Sequence, residues 1–170
     1  MKTPDNDLKK KLEKIKKKLM ESEEISTEST RRYQVANQKL AGYLIELIES
    51  KRDKLKEKSK LGRLLGIFLR INDLKIQVMM EYLPIQAQSL MKVRPLKILT
   101  IVQTTTKMVE VYEQIRTDLA SFFYNENSKS LNLPYISSKL IDPESKLKQL
   151  NICLGQLQGL VIGRLYEFAS

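Results

Sequence analysis

Histidine and tryptophan are absent from these 170 residues, and cysteine occurs once, at Cys153. Without histidine the chain lacks the usual general base, the commonest transition-metal ligand and the side chain that titrates near neutrality. A single cysteine excludes an intrachain disulfide and points to a reducing compartment. Cys153 itself, set among Leu and Ile, reads as a packed thiol rather than a nucleophile. Proline (five) and glycine (six) are scarce. With abundant Leu, Ile, Lys and Glu, that scarcity favours long helices over a β-sandwich. No apolar run reaches membrane-spanning length, because residues 61–83 are interrupted by Arg63, Arg70, Asp73, Lys75 and Glu81. Lysines and acids alternate through residues 9–24 with no apolar signal-peptide core. The expected location is therefore a cytoplasmic, reducing interior.

Catalytic signatures are missing too. No P-loop, dinucleotide fingerprint, zincin motif or nucleophile elbow occurs. Glu110, Tyr112 and Glu113 lie close together, but at about 100° per residue the two glutamates diverge and Tyr112 falls in an apolar stripe. The expectation is a protein with no catalytic residues, no metal or other cofactor and no small-molecule substrate.

What is present is helical periodicity. A chain of this length buries one core, and the pattern predicts an all-α, four-helix-bundle-like domain over residues 31–170. A basic helical arm over residues 1–30 precedes it. In the arm, Thr3-Pro4-Asp5 supplies a helix start. Leu8, Leu12, Ile15 and Leu19 then form a stripe at steps of four, three and four, narrow enough for a two-stranded coiled coil. Residues 22–30, rich in hydroxyls and acids, read as a hinge or helix restart. A second helix is predicted from about Arg31 into the late fifties, burying Ala36, Leu40, Tyr43, Leu44, Leu47 and Ile48. A third spans residues 61–83, with an apolar arc (Leu61, Leu64, Leu65, Phe68, Ile71, Val78, Met79, Tyr82) widened by Ile67, Leu69, Leu74 and Ile76. So wide an arc marks a central helix, and Pro84 is expected to stop or kink it. The fourth, after Pro95, contains enough β-branched residues to suggest a strand. Yet Ile98, Val102, Thr105, Val109, Tyr112, Leu119 and Phe122 keep helical steps over a length unusual for strands.

The last helix carries the sharpest pattern. Asp142-Pro143-Glu144 combines an N-cap acceptor, a proline at the first helical position and an acid at the positive helix end. Leu147, Leu150, Leu154, Leu157, Val161, Leu165 and Phe168 make one stripe. Gly155, Gly159 and Gly163 recur every fourth residue on a different face, with Ile152, Ile162 and Tyr166. Three glycines inside a helix cost roughly 3 kcal/mol relative to alanine, which close approach of a second backbone can offset. Gly62 and Gly66 repeat the spacing in the third helix, so the two glycine faces are expected to meet each other or a second subunit. The glycine face with Ile152, Ile162 and Tyr166, and the arm stripe Leu8, Leu12, Ile15 and Leu19, are the candidate helix-packing or subunit interfaces.

Charge supplies the alternative. The net charge is +10, and residues 1–60 hold 17 Lys/Arg against 11 Asp/Glu. Lys9, Lys10, Lys11, Lys14, Lys16, Lys17 and Lys18, then Arg31 and Arg32, then Lys51, Arg52, Lys54, Lys56, Lys58 and Lys60 are candidates for neutralising phosphates without reading bases. Tyr33, beside Arg31-Arg32, is the one nearby stacking candidate. The function expected from the sequence is a non-catalytic helical adaptor or structural subunit that binds other protein subunits or copies of itself through the arm and the glycine face. The alternative is sequence-independent binding of nucleic acid, or of another anionic surface, by the first sixty residues. Peripheral membrane contact fits less well, since no helix sets aromatics against a purely basic face.

Overall fold

Three of the four long helices begin where a cap or a proline sets them. Ser26 caps the first: its Oγ accepts from the Ser29 N–H at 3.0 Å, and the Ser29 Oγ accepts from the Ser26 N–H at 2.8 Å. This is a capping box with serine in the glutamate position. Pro95 is the first residue of the third helix and Pro143 of the fourth. Asp142 Oδ2 accepts from the Ser145 N–H at 2.9 Å, the N-cap bond expected of that residue.

The computed structural model describes residues 10–11, 13–14, 25–50, 55–87, 95–125 and 132–168. Among them the chain is all-helical: α1 (Thr27–Ser50), α2 (Leu55–Ala87), α3 (Pro95–Asn125) and α4 (Pro143–Phe168). The contested fourth segment of the sequence is thus a helix, α3, and no described residue is in a strand. Lys10, Lys11, Glu13 and Lys14 of the arm are helical, whereas Leu8, Leu12, Ile15 and Leu19 lie outside the described residues.

α2 is the central element and packs against α1, α3 and α4, while α3 and α4 also pack together. Each neighbour runs antiparallel to α2. For α3, Arg70 pairs with Asp118 while Arg63, two turns earlier, lies over the Phe122 ring. For α4, Lys75 meets Asn151 while Asn72 meets Gln158. For α1, residues 25–27 share a cleft with Met80, Leu83, Pro84 and Gln86, while Tyr33 reaches Asn72. The core is continuous through Leu40, Leu64, Phe68, Ile71, Tyr112, Leu119, Leu150 and Leu157, all fully buried. The predicted α4 stripe is buried along its whole length, from Leu147 to Phe168.

Several details differ from the sequence expectations. α1 starts four residues before Arg31, because the Ser26–Ser29 cap lies inside the expected hinge. α2 runs through Pro84 to Ala87. Proline removes one hydrogen bond near a helix end, and Pro84 is solvent-exposed, so the last turn persists. On α3 the buried stripe is Ile101, Thr105, Met108, Tyr112, Ile115 and Leu119. Thr105, Tyr112, Leu119 and Phe122 are buried as expected, whereas Val102 is exposed and Ile98 half-buried, so the departure from the expected face is confined to the first turns. Leu69 of α2 is exposed rather than part of the buried arc.

The segment before α4 is pinned across α3 and α4. The Tyr112 hydroxyl donates to the Pro134 carbonyl, Arg116 Nε donates to the Leu133 carbonyl at 3.4 Å, and Ser137 N donates to Gln149 Oε1 at 2.8 Å. The Arg116 guanidinium also lies 3.6 Å from the Tyr135 ring centroid. The Cys153 thiol is buried beneath this segment and donates to the Tyr135 carbonyl at 3.8 Å.

Candidate functional site

The glycine face of α4 does not pack on α2 through bare backbone. No heavy atom among the described residues lies within 4 Å of where a Cβ would stand on Gly159, Gly163, Gly62 or Gly66. The expected intramolecular meeting of the two glycine faces is therefore corrected. Gly62 and Gly66 are exposed on the outside of α2, so helix rotation keeps them away from α4. Gly155, Gly159 and Gly163 are half-buried on α4. Of their apolar companions, Ile162 is buried, Tyr166 half-buried and Ile152 47% exposed. Ile162, Gly163 and Tyr166 line a cleft of about 210 Å³ together with Glu13 of the arm. Lys11 of the arm holds its ammonium 4.8 Å from the ring centroid of Tyr43 on α1.

Gly155 has a neighbour that the other two lack. A Cβ there would stand 3.5 Å from Lys75 Nζ. That is an ordinary contact distance, so the lysine sits beside Gly155 without requiring it; Lys75 is only 2% exposed and donates to the Asn151 carbonyl at 3.3 Å. The same ammonium lies 5.3 Å from the Tyr33 ring centroid. Next to it is a closed polar cluster: the Tyr33 hydroxyl donates to Asn72 Oδ1 at 3.1 Å, and Gln158 Nε2 donates both to Tyr33 Oη at 2.7 Å and to Asn72 Oδ1. Burial pushes the Tyr33 phenol far above its ordinary range. One residue each from α1, α2 and α4 is thus tied together in the core beside the buried Lys75 and Asn151.

This cluster is what the sequence reading missed. Tyr33 was expected to serve as a stacking residue, but it is 1% exposed and offers no face to a base. In the sequence Lys75 counts only as a charge that breaks a membrane-spanning run, and neither Asn72 nor Gln158 is singled out. No periodicity distinguishes a buried polar residue from a solvated one at such positions.

The basic candidates are not gathered into one patch among the described residues. Lys10, Lys11, Lys14, Arg31, Arg32 and Lys58 are exposed, and Lys60 is half-buried. Arg32 is paired with Glu28 on its own helix. Arg31 and Arg32 stand near the start of α1, whereas Lys58 and Lys60 begin α2 beside the far end of α1, about 28 Å away along the axis. Lys56 is described only as helix backbone. Lys9, Lys16, Lys17, Lys18, Lys51, Arg52 and Lys54 lie outside the described residues.

Among the described residues no three acidic or cysteine side chains come together as a metal-binding group. No described helix is long and apolar enough to cross a membrane. No protein family, curated protein or solved structure matches this chain.

Proposed function

We propose that this protein is a non-catalytic helical adaptor or structural subunit, working in a reducing, cytoplasmic setting, that engages a partner helix through the glycine-bearing face of α4. One observation carries the reading. Gly159 and Gly163 interrupt an otherwise well-packed helix, yet no described neighbour comes within 4 Å of where a Cβ would stand on either. Each glycine costs about 0.8–1 kcal/mol relative to alanine in a helix interior, and nothing described in the fold recovers that cost. A helix laid against the face would recover it through close backbone contact, with Ile162 and Tyr166 beside the cleft as apolar anchors.

Capture from native extract tests the reading, with and without nuclease, comparing the natural chain with Gly159→Leu. A fixed, nuclease-insensitive protein set that the variant loses is expected. Sedimentation of the purified chain over a concentration range tells whether that set includes further copies of itself. Capture of nothing, or equal capture by both chains, sinks it.

The alternative, sequence-independent binding of nucleic acid, draws on the +10 net charge and the exposed Lys10, Lys11, Lys14 and Arg31. It predicts affinity that falls steeply with added salt in filter binding. Its stacking component is gone, since Tyr33 is buried.

A further inference from the structure

Three sides of α2 are covered by α1, α3 and α4. The fourth faces water, and it is not a polar face. Gly62, Gly66, Leu69, Asp73, Ile76 and Met80 follow one another along it at steps of four and three, the spacing of a helix–helix seam. All are exposed except the half-buried Ile76, and Met80 is 58% exposed. A Cβ on either glycine would meet no described atom within 4 Å. One end of the seam is therefore hollow, and the other carries a large thioether.

We propose that this face packs against the same face of a second copy of the chain, the two α2 helices antiparallel about a two-fold axis at Asp73. Shape requires the opposed direction. Reversal about Asp73 sets Gly66 against the second copy's Met80 and Gly62 against its Pro84, so each hollow receives a bulky group. A parallel pair would set glycine on glycine and Met80 on Met80. Charge requires the same direction. Arg63 and Glu81 are eighteen residues apart, five full turns at about 100° per residue, so both project on one flank of the seam. Neither is ion-paired among the described residues. About the same axis each Arg63 comes within about 3 Å, measured along the helix, of the second copy's Glu81, which makes two equivalent ion pairs. The opposite flank carries the half-buried Leu65, Ile76 and Leu83, and the two-fold brings this apolar flank onto its own equivalent. Asp73 alone opposes the arrangement, because it meets its own copy on the axis.

The size of the seam sets its strength. From residue 62 to residue 84 the helix rises about 33 Å and is about 10 Å wide, a flat footprint on the order of 330 Å². Even doubled for surface relief, that falls short of the roughly 800 Å² per partner of a standard stable interface. The net charge of +10 on each copy adds repulsion. The dimer is therefore weak, with a Kd of roughly 0.1 mM, and at low micromolar concentration the outer face of α2 meets water. This surface lies across α2 from α4, so it goes beyond the adaptor reading and leaves the glycine face of α4 open to its own partner.

Sedimentation of the full chain, from low micromolar to near-millimolar concentration, should show monomer passing to dimer. Met80→Lys changes an exposed side chain, and circular dichroism checks that its helices persist. It should weaken association about tenfold or more, whereas Asp73→Asn, which removes the like charges at the axis, should strengthen it severalfold. Gly159→Leu should associate as the natural chain does. A chain that stays monomeric throughout overturns the proposal, as does a dimer that Gly159→Leu abolishes and Met80→Lys leaves intact. Direction is read by mixing two chains in a Cys153→Ser background, one carrying Gly66→Cys and the other Met80→Cys, under mild oxidation. Disulfides between the two kinds of chain should form much faster than disulfides within either kind. Equal rates, or faster pairing of like with like, would rule out the antiparallel seam and overturn the proposal. Capture from extract reads the α4 face and this sedimentation series reads α2, so either reading can fail while the other stands.

Discussion

Tyr33 shows how far a residue's sequence neighbours can mislead about its environment. It follows Arg31-Arg32 and looks like part of a basic, aromatic surface, yet its ring is sealed beneath Lys75 and its hydroxyl is shared with Asn72 and Gln158. The cluster's internal logic sets the sizes of mutational effects. In Tyr33→Phe, Asn72 and Gln158 still bond to each other, so the loss should be near the net value of one hydrogen bond, about 1 kcal/mol. In Asn72→Leu, the shared acceptor vanishes and both the phenol and the Gln158 amide lose a partner, so about 2–3 kcal/mol is expected. Urea denaturation of the two variants checks the order, and a larger loss for Tyr33→Phe would contradict the network described. Thr105 on α3 is the opposite case. It is 1% exposed, and its hydroxyl has no hydrogen-bond partner among the described residues. Thr105→Val keeps the shape and removes a dehydrated polar group, so the protein should gain about 1 kcal/mol in the same assay. Little of this was legible in the sequence. A polar residue inside an apolar stripe reads as an interruption, and only the convergence of three helices decides whether it is wetted or sealed.

At the scale of elements the sequence is far more legible, because a long helix averages its signal over many turns. The α4 stripe and its Asp142-Pro143 start are as expected, and the β-branched run in α3 remains helical because its apolar spacing persists over its full length. Rotation about the helix axis is what periodicity leaves loose. In the first turns of α3 the buried position is Ile101 rather than Val102, a shift of one residue that puts Val102 in water, while Val109 stays partly buried against the core beside Met108. The same looseness misplaced Gly62 and Gly66, which share a spacing with the α4 glycines but face solvent. These two glycines allow a clean test of propensity without packing. A Cβ at either position meets no atom within 4 Å. Gly62→Ala and Gly66→Ala should each stabilise the protein by roughly 0.8–1 kcal/mol, the alanine advantage in a helix interior. Thermal melts of both variants provide the measurement. A loss of stability at either site would mean that the outer face of α2 is covered by something other than water.

Taken whole, the molecule combines an absence of histidine with two deeply seated phenols, and that pairing sets its response to pH. Near neutrality no imidazole titrates, so stability should be flat across the middle of the scale. At the acid end, Asp118 is held below the usual carboxylate range by its hydrogen bond from Arg70, and Asp142 by the Ser145 amide. A lowered folded pKa contributes stability above the unfolded value near 4, and that stability is lost as pH falls through the folded one. Asp142 is exposed and the Asp118 side chain is 37% exposed, so solvent screening keeps this limb shallow. The alkaline limb has the opposite sign. Burial raises Tyr33 and Tyr112 well beyond the unfolded value of about 10, and it also raises the Cys153 thiol. In each case the folded state retains a proton that the unfolded chain releases, so stability is full below the unfolded pKa and declines as pH climbs beyond it. Each phenol contributes a slope of about 1.4 kcal/mol per pH unit above 10. The expected outcome is cooperative alkaline unfolding, with Tyr33 and Tyr112 forming tyrosinate only as helicity is lost. Tyr33→Phe should lower stability at neutral pH yet flatten the alkaline decline by one proton's worth. Tyrosinate absorbance recorded beside circular dichroism decides the matter. If all seven phenols ionised near pH 10 with the helices intact, the burial of Tyr33 and Tyr112, and with it the three-helix cluster at the centre of the fold, would be wrong.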